Sequence, residues 1–225
     1  MRIPRLLGAA SACAISLAVV TSINAAPVYT GTYVDMYLKQ TTFPPNLFED
    51  KVYLDANTAT TITGHVGSQT GTPLISFSST TDSLVASSGF SSIKSNDGYI
   101  NNITITAPGY WFEDLIFSAM LSNGNSDLSV MAKDKSGGTD VNTVWALGGG
   151  ENRILVLAKG VNLMQSVTVD SLSGFNALGG LSQFKQTEIS GLTAVPAAVP
   201  VPNAIWLFGS GLLGMAAVAR RKMPT

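Results

Sequence analysis

The sequence predicts an all-β protein: a single β-sandwich, jelly-roll-like, between an N-terminal signal peptide and a C-terminal transmembrane helix. Three observations support this. Short segments alternate apolar and polar residues, turn signals separate them at close intervals, and charge-free apolar runs lie near both ends of the 225-residue chain. The length accommodates one such domain with short appendages.

Period-2 alternation is the pattern of a half-buried strand, because successive side chains point to opposite faces of a sheet. Three segments show it most clearly: 103–106, 127–133 and 167–170. Glycine, proline and asparagine clusters punctuate the chain between such segments. Among them, Asn96-Asp97-Gly98 predicts a hairpin that joins the apolar stretches around Ile93 and Tyr99, since Asp-Gly tolerates the positive φ of a tight turn.

Charge is distributed unevenly along the chain. All 14 Asp and Glu residues lie between Asp35 and Glu188, where only 8 Lys and Arg accompany them, so this stretch carries 8 − 14 = −6 charges. Nucleic-acid binding needs clustered cations on one face. The sequence therefore predicts no nucleic-acid partner.

The N-terminus, residues 1–25, has the layout of a secretory signal peptide. Arg2 and Arg5 precede the uncharged run 6–20, and small residues then predict cleavage by signal peptidase after Ala25. An uncleaved membrane helix and a lipoprotein modified at Cys13 are the alternatives. Cys13 is the single cysteine, so the mature domain, residues 26–193, would be stabilised without disulfides.

Catalytic residue types are sparse in the predicted domain. His65 is the single histidine, which leaves a triad or a histidine-based zinc site without partners. Glu113 and Asp114 are adjacent, so on a strand they point to opposite faces and do not form an acid/base pair. We therefore expect a protein that is not an enzyme, with an extracellular hydrolase as the disfavoured alternative.

Calcium is the candidate metal, and no other cofactor is predicted. Oxygen-bearing side chains cluster in two turn-rich segments, and calcium binds six to eight such oxygens. Turns that hydrogen-bond their own backbone are the simpler interpretation. The candidate ligands are Asn123, Asn125, Asp127, Asp134 and Asp140.

Tyr110 and Trp111, followed by Phe112, form an aromatic cluster. An exposed aromatic face stacks on a sugar ring, which makes Tyr110 and Trp111 candidate carbohydrate contacts. The alternative is that these rings fill the core, as aromatic residues in strands usually do.

The C-terminus has three parts in order. Residues 194–203 form a Pro/Ala/Val linker, residues 204–219 carry no charge, and residues 220–225 begin with Arg220-Arg221-Lys222. A helix over the middle part would extend roughly 24 Å, so it would cross a bilayer with interfacial anchoring from Trp206 and a cytoplasmic basic end. The glycines Gly209, Gly211 and Gly214 give the spacing of a dinucleotide turn but lack its βαβ context. With Ser210 they give a slim face for another helix.

This arrangement resembles the PEP-CTERM sorting signal of Gram-negative bacteria, in its VPLPA-like variant. The resemblance implies a sorting motif at Pro200, Val201 and Pro202, followed by the membrane helix and the basic stop. It also implies that an exosortase-type enzyme of the inner membrane processes the chain, often alongside exopolysaccharide production. Val201 stands where the name-giving motif has Glu.

The expected function is that of a non-enzymatic protein of the cell surface or extracellular matrix, exported through an inner-membrane intermediate with its domain in the periplasm and associated with exopolysaccharide or biofilm. The alternative is a carbohydrate- or calcium-binding module that its C-terminal helix anchors permanently.

Overall fold

The computed structural model describes residues 29–38, 50–67, 73–90, 92–122, 126–142, 146–172 and 180–197, with Phe208, Ser210, Leu212 and Leu213. The chain divides into two compact units, Met1–Leu192 and Thr193–Thr225. The predicted signal peptide lies outside the described residues, as do the sorting motif, Trp206, the three glycines of the helix and the basic stop.

Antiparallel strands build the described part of the first unit, which confirms the all-β prediction. In chain order they are β1 (Tyr29–Thr30), β2 (Val34–Leu38), β3 (Asp50–Leu54), β4 (Asn57–Ala59), β5 (Thr61–Val66), β6 (Leu74–Ser78), β7 (Leu84–Ala86), β8 (Ser92–Ser95), β9 (Asn102–Thr106), β10 (Tyr110–Trp111), β11 (Asp114–Leu121), β12 (Ser126–Asp134), β13 (Thr139–Asn142), β14 (Ala146–Leu147), β15 (Gly150–Ala158), β16 (Met164–Ser171) and β17 (Leu181–Ser190).

Sixteen of these strands hydrogen-bond as one curled sheet with two facing layers. Layer A has the order β1-β2-β15-β11-β17, continued by β8, β7 and β4. Layer B has the order β3-β5-β6-β9-β16-β12-β13, and the sixteenth strand, β14, pairs with β12. Strand β3 joins the layers because it pairs with both β17 and β5. From β9 to β17 the long strands β9, β11, β12, β15, β16 and β17 alternate between the layers.

The core lies between the two layers. Phe184 of β17 in layer A stacks on Phe117 of β11 at 4.7 Å between ring centroids, and its edge meets Phe77 of β6 in layer B at 6.2 Å. All three rings are fully buried. The predicted alternation is confirmed on β9, β12 and β16, whose inward residues belong to the same core: Ile103, Ile105, Leu128, Val130, Ala132, Val167 and Val169.

The hairpin predicted at Asn96-Asp97-Gly98 is wrong, although the turn itself forms. Gly98 has φ 102° and its amide donates to the Ser95 carbonyl. The strands on either side do not pair with each other, because β8 pairs with β7 and β17 in layer A while β9 pairs with β6 and β16 in layer B. Both strands carry inward apolar residues, so a turn that crosses between layers buries them in one shared core.

The second unit begins with the two-residue strand β18 (Thr193–Ala194). Phe208, Ser210, Leu212 and Leu213 have helical backbone and exposed side chains. No helix among the residues described is long and apolar enough to cross a membrane. The span predicted for residues 204–219 falls mostly outside those residues and stays a prediction.

Asp114 is a buried carboxyl at the start of β11. Its side chain is 1% exposed, one oxygen accepts a hydrogen bond from the Ser190 hydroxyl, and the other oxygen has no hydrogen-bond partner. Burial raises the pKa of Asp114 to about 6, the hydrogen bonds from Ser190 oppose this, and the neighbouring charge of Glu113 adds to the rise.

We expect Asp114→Asn to stabilise the domain at neutral pH. In the unfolded chain this carboxyl has the ordinary pKa of an aspartate, 3.8. The free energy of unfolding is therefore not reduced by this carboxyl below pH 3.8. It falls as the pH rises from there through the folded-state pKa of about 6, because only the unfolded chain releases the proton in that range. The difference corresponds to at most about 3 kcal/mol above the folded-state pKa. Denaturant unfolding of both proteins at about pH 8 and about pH 4 measures it, and an equal gain at both pH values would contradict the assignment.

Candidate functional site

A groove of about 300 Å³ lies on the outer side of layer A. Strands β8 and β17 build its walls together with Phe90, which lies two positions before β8. The lining residues are Phe90, Ser92, Lys94, Gln183, Lys185 and Gln186. The site therefore combines one aromatic ring with ammonium, amide and hydroxyl groups that donate hydrogen bonds.

A β-bulge in β17 shapes one wall of the groove. Ile116 pairs with Glu188 and Ser118 pairs with Lys185, so two residues of β17, Gln186 and Thr187, lie opposite Phe117 alone. Gln186 has φ 49°, the one positive φ among the non-glycine residues described. Left-handed backbone costs free energy in a residue with a Cβ, and such outliers concentrate at functional sites.

The bulge also lets side chains of β17 reach the core on both sides of Gln186. Phe184 and Ile189 are five positions apart and would face opposite sides of a regular strand, yet both lie in the core. The extra residue shifts the alternation of side chains by one position, so both Phe184 and Ile189 face the core. Gln183 and Lys185, on either side of the inward Phe184, line the groove as a result.

Phe90 is held at the corner where β3 approaches the groove. Gly89 exchanges backbone hydrogen bonds with Leu54 of β3. The Phe90 ring lies 6.0 Å from the ring of Tyr53, and the ammonium of Lys51 lies 5.1 Å from its centroid. These contacts fix the half-buried ring in place and bring a third lysine to the edge of the site.

Among the described residues, Lys94 and Lys185 differ from other cations of layer A because they have no salt-bridge partner. Arg153 bonds Glu188 at 2.8 Å, and the Lys159 ammonium lies 3.7 Å from the Asp35 carboxylate. Within the part of the chain that the structure describes, no carboxylate forms a salt bridge with Lys94 or Lys185. The groove is thus a positive site on a domain whose central stretch is acidic.

Tyr110 and Trp111 lie apart from the groove lining, on β10. Both side chains are half-buried, and Tyr110 packs against the main core. Phe112, the next residue, is fully buried and bridges to Met164. The cluster therefore contributes to the core through Tyr110 and Phe112, while Trp111 keeps a partly accessible ring.

The candidate calcium ligands fall into two groups. Asn123, Asn125 and the side chain of Asp127 lie outside the described residues. Asp134 is 3% exposed and accepts hydrogen bonds from the backbone amides of Ser136 and Gly138 and from the Ser136 hydroxyl. Its carboxylate closes the β12–β13 turn.

Asp140 is 6% exposed and binds the segment that enters β2. Its carboxylate accepts hydrogen bonds from three successive backbone amides, those of Thr32, Tyr33 and Val34. The approach is so close that a Cβ at Gly31 would collide with this carboxylate. Among the residues that the structure describes, no three acidic, histidine or cysteine side chains come together as a metal site.

His65 lies on β5, with its Nε2 3.4 Å from an oxygen of Asp55, which also accepts a hydrogen bond from the Thr63 hydroxyl. Glu113 is exposed just before β11, whereas Asp114 is buried within it. The two adjacent carboxyls thus occupy different environments. Neither His65 nor these carboxyls line the groove.

Sequence reasoning missed the groove because its residues come from two distant stretches, 90–94 and 183–186. Each stretch read alone is an ordinary polar strand. The signal in the sequence was the spacing of the apolar residues in β17. Leu181, Phe184 and Ile189 are all core residues, but their spacing does not match strict alternation along one strand. A break of that kind indicates a bulge.

The sequence matches no protein-family model and no curated protein. Among solved structures, a mutant of a family 29 carbohydrate-binding module, studied for its mechanism of ligand recognition, is similar at a TM-score of 0.20 and 10% sequence identity. The alignment covers 71% of this chain and 89% of that chain. A likeness at this level assigns no ligand to this chain.

We expect Asp140→Asn to lower the free energy of unfolding by about 1–3 kcal/mol, because bonds from three amides to a buried carboxylate are weakened. Chelation with EDTA is expected to leave the melting temperature of the unaltered protein unchanged, since the same oxygens are already occupied. Glu151→Gln, which removes an exposed carboxylate, is the control. A melting temperature that falls with EDTA and recovers with calcium would contradict this account.

Proposed function

We propose that this chain is an exported protein whose β domain binds a polysaccharide in the groove of layer A and catalyses no reaction. The observation that carries the proposal is the composition of that groove: a fixed aromatic ring beside hydrogen-bond donors from five further side chains. A sugar ring presents a C–H face that packs on an aromatic ring and hydroxyl oxygens that accept hydrogen bonds.

The size and position of the groove suit this ligand. Its volume of about 300 Å³ lies at the lower end of the range for small-molecule sites, which fits a segment of one or two sugar units. The groove lies on a sheet face and is built from strands rather than from long loops. The alternation of long strands between two layers supports describing the domain as a jelly-roll-like sandwich.

The proposed route to the cell surface rests on the sequence alone. The signal peptide of residues 1–25 directs export, and the C-terminal resemblance to PEP-CTERM proteins supports sorting by an exosortase-type enzyme at Pro200-Val201-Pro202. A surface or matrix location would bring the groove into contact with the exopolysaccharide of the cell. Permanent anchoring by residues 204–219 is the competing arrangement.

We expect Phe90→Ala to lower the affinity for polysaccharide about tenfold or more, because it removes the ring on which the sugar packs. Affinity electrophoresis through gels that contain a panel of soluble polysaccharides measures this. Trp111→Ala is the matched control, since Trp111 is also a half-buried aromatic residue and lies outside the groove lining. Loss of binding in Trp111→Ala with unchanged binding in Phe90→Ala would move the site to β10 and overturn the groove assignment.

We expect the mature protein to lack Arg220-Arg221-Lys222, because sorting replaces or removes the C-terminal helix. Intact-mass spectrometry of protein from the cell surface and from the inner membrane of the native host measures the C-terminus. The same measurement in a strain without the sorting enzyme is the control. A surface protein that still ends in Lys222-Met223-Pro224-Thr225 would contradict sorting while leaving the groove proposal intact.

A further inference from the structure

The groove concentrates positive charge inside an acidic domain. Lys94 and Lys185 line it on neighbouring strands, where Lys185 pairs with Ser92. Lys51 reaches the same corner from β3, with its ammonium over the Phe90 ring. Three ammonium groups thus border one concave site, on a stretch that carries −6 charges from Asp35 to Glu188.

Two of these charges, those of Lys94 and Lys185, are available to a ligand, whereas Lys51 lies opposite Glu188 in the pairing of β3 with β17. The nearest acidic residue in β17 is Glu188, whose carboxylate is bound by Arg153 at 2.8 Å and is directed along the outer face toward β15. In the described residues, Lys94 and Lys185 form no salt bridge that a ligand would have to break. A ligand anion would therefore gain attraction without displacing an internal partner.

The electrostatics select among polysaccharides. A neutral chain can use the ring and the hydrogen-bond donors, but it leaves the ammonium groups unpaired when it displaces water from the groove. A chain with a carboxylate on successive sugar units supplies a partner for more than one lysine at once. We propose that the groove selects an acidic polysaccharide, a polyuronate, over neutral ones. This inference rests on the proposed function and names the ligand class for the same site.

A polyuronate fits better than a nucleic acid, which is also a polyanion. Acidic residues outnumber basic ones by 14 to 8 between Asp35 and Glu188, and a nucleic acid needs a cationic surface that follows many consecutive phosphates. The groove offers instead a short positive site with one aromatic ring and several neutral donors. That combination suits widely spaced carboxylates on a hydroxyl-rich chain.

The test uses two probes that share one backbone: alginate, and the same alginate with its carboxyl groups reduced to primary alcohols. We expect the unaltered full chain, measured by isothermal titration, to bind alginate about tenfold more tightly than the reduced polymer. Raising the salt from about 0.05 M to about 0.5 M should remove most of that preference, because screening weakens exposed charge pairs.

The lysine variants assign the preference to the groove. Lys94→Gln and Lys185→Gln should each weaken alginate binding about threefold to fivefold, as expected for single exposed charge pairs, and should weaken binding to the reduced polymer less, because glutamine keeps a hydrogen-bond donor but not the charge. Lys133→Gln, which removes an exposed lysine of β12 in layer B, is the charge-matched control and should behave like the unaltered protein. Both groove lysines lie on the outer face, so unchanged melting temperatures are expected to accompany these effects.

The outcomes separate the two proposals. Equal affinity for both polymers, with loss of both in Phe90→Ala, would overturn acidic selectivity and leave glycan binding in place. No affinity for either polymer or for the neutral panel would overturn both. Binding of a single-stranded oligonucleotide as tightly as alginate, with the same lysine dependence, would overturn the polyuronate in favour of a general polyanion site.

Discussion

The contact of Phe184 with rings on both sides of the core is the constraint on which the rest of the domain depends. One neighbour, Phe117, lies in the same layer and the other, Phe77, lies in the facing layer. Large buried aromatic rings contribute several kcal/mol each through burial and packing. Because Phe184 must point inward, its neighbours Gln183 and Lys185 must point outward, and the groove follows from that requirement.

The bulge at Gln186 reconciles this inward ring with the rest of β17. Ile189 must also reach the core, and a strand without an extra residue would place one of the two side chains on the wrong face. The left-handed backbone of Gln186 is the cost of satisfying both. The same residue lines the groove, so the feature that completes the core also shapes the groove wall.

The sequence predicted what depends on local pattern and left out what depends on pairing between distant strands. Strands such as β9, β12 and β16 were predicted because each shows strict alternation, and the structure places their apolar residues in one core. The turn at Asn96-Asp97-Gly98 was recognised by its residues, but a turn does not encode whether the chain pairs back or crosses to the facing layer. The candidate ligands Asp134 and Asp140 had the right chemistry for calcium. Their partners, the amides of Gly138 and Val34, are backbone groups that no motif records.

The groove was not predicted because it also depends on pairing between distant strands. The same pairing holds the backbone of its walls in place. Its walls belong to β8 and β17, and β17 pairs with β11, β8 and β3. A strand with three partners and a buried ring has little freedom to move. The backbone that carries these donors therefore loses little conformational entropy when a ligand binds, whereas a loop backbone would lose more. A polysaccharide offers only weak contacts per sugar unit. Rigid placement of the ring, the amides and the lysines is therefore what would let a short groove hold one segment of a long chain.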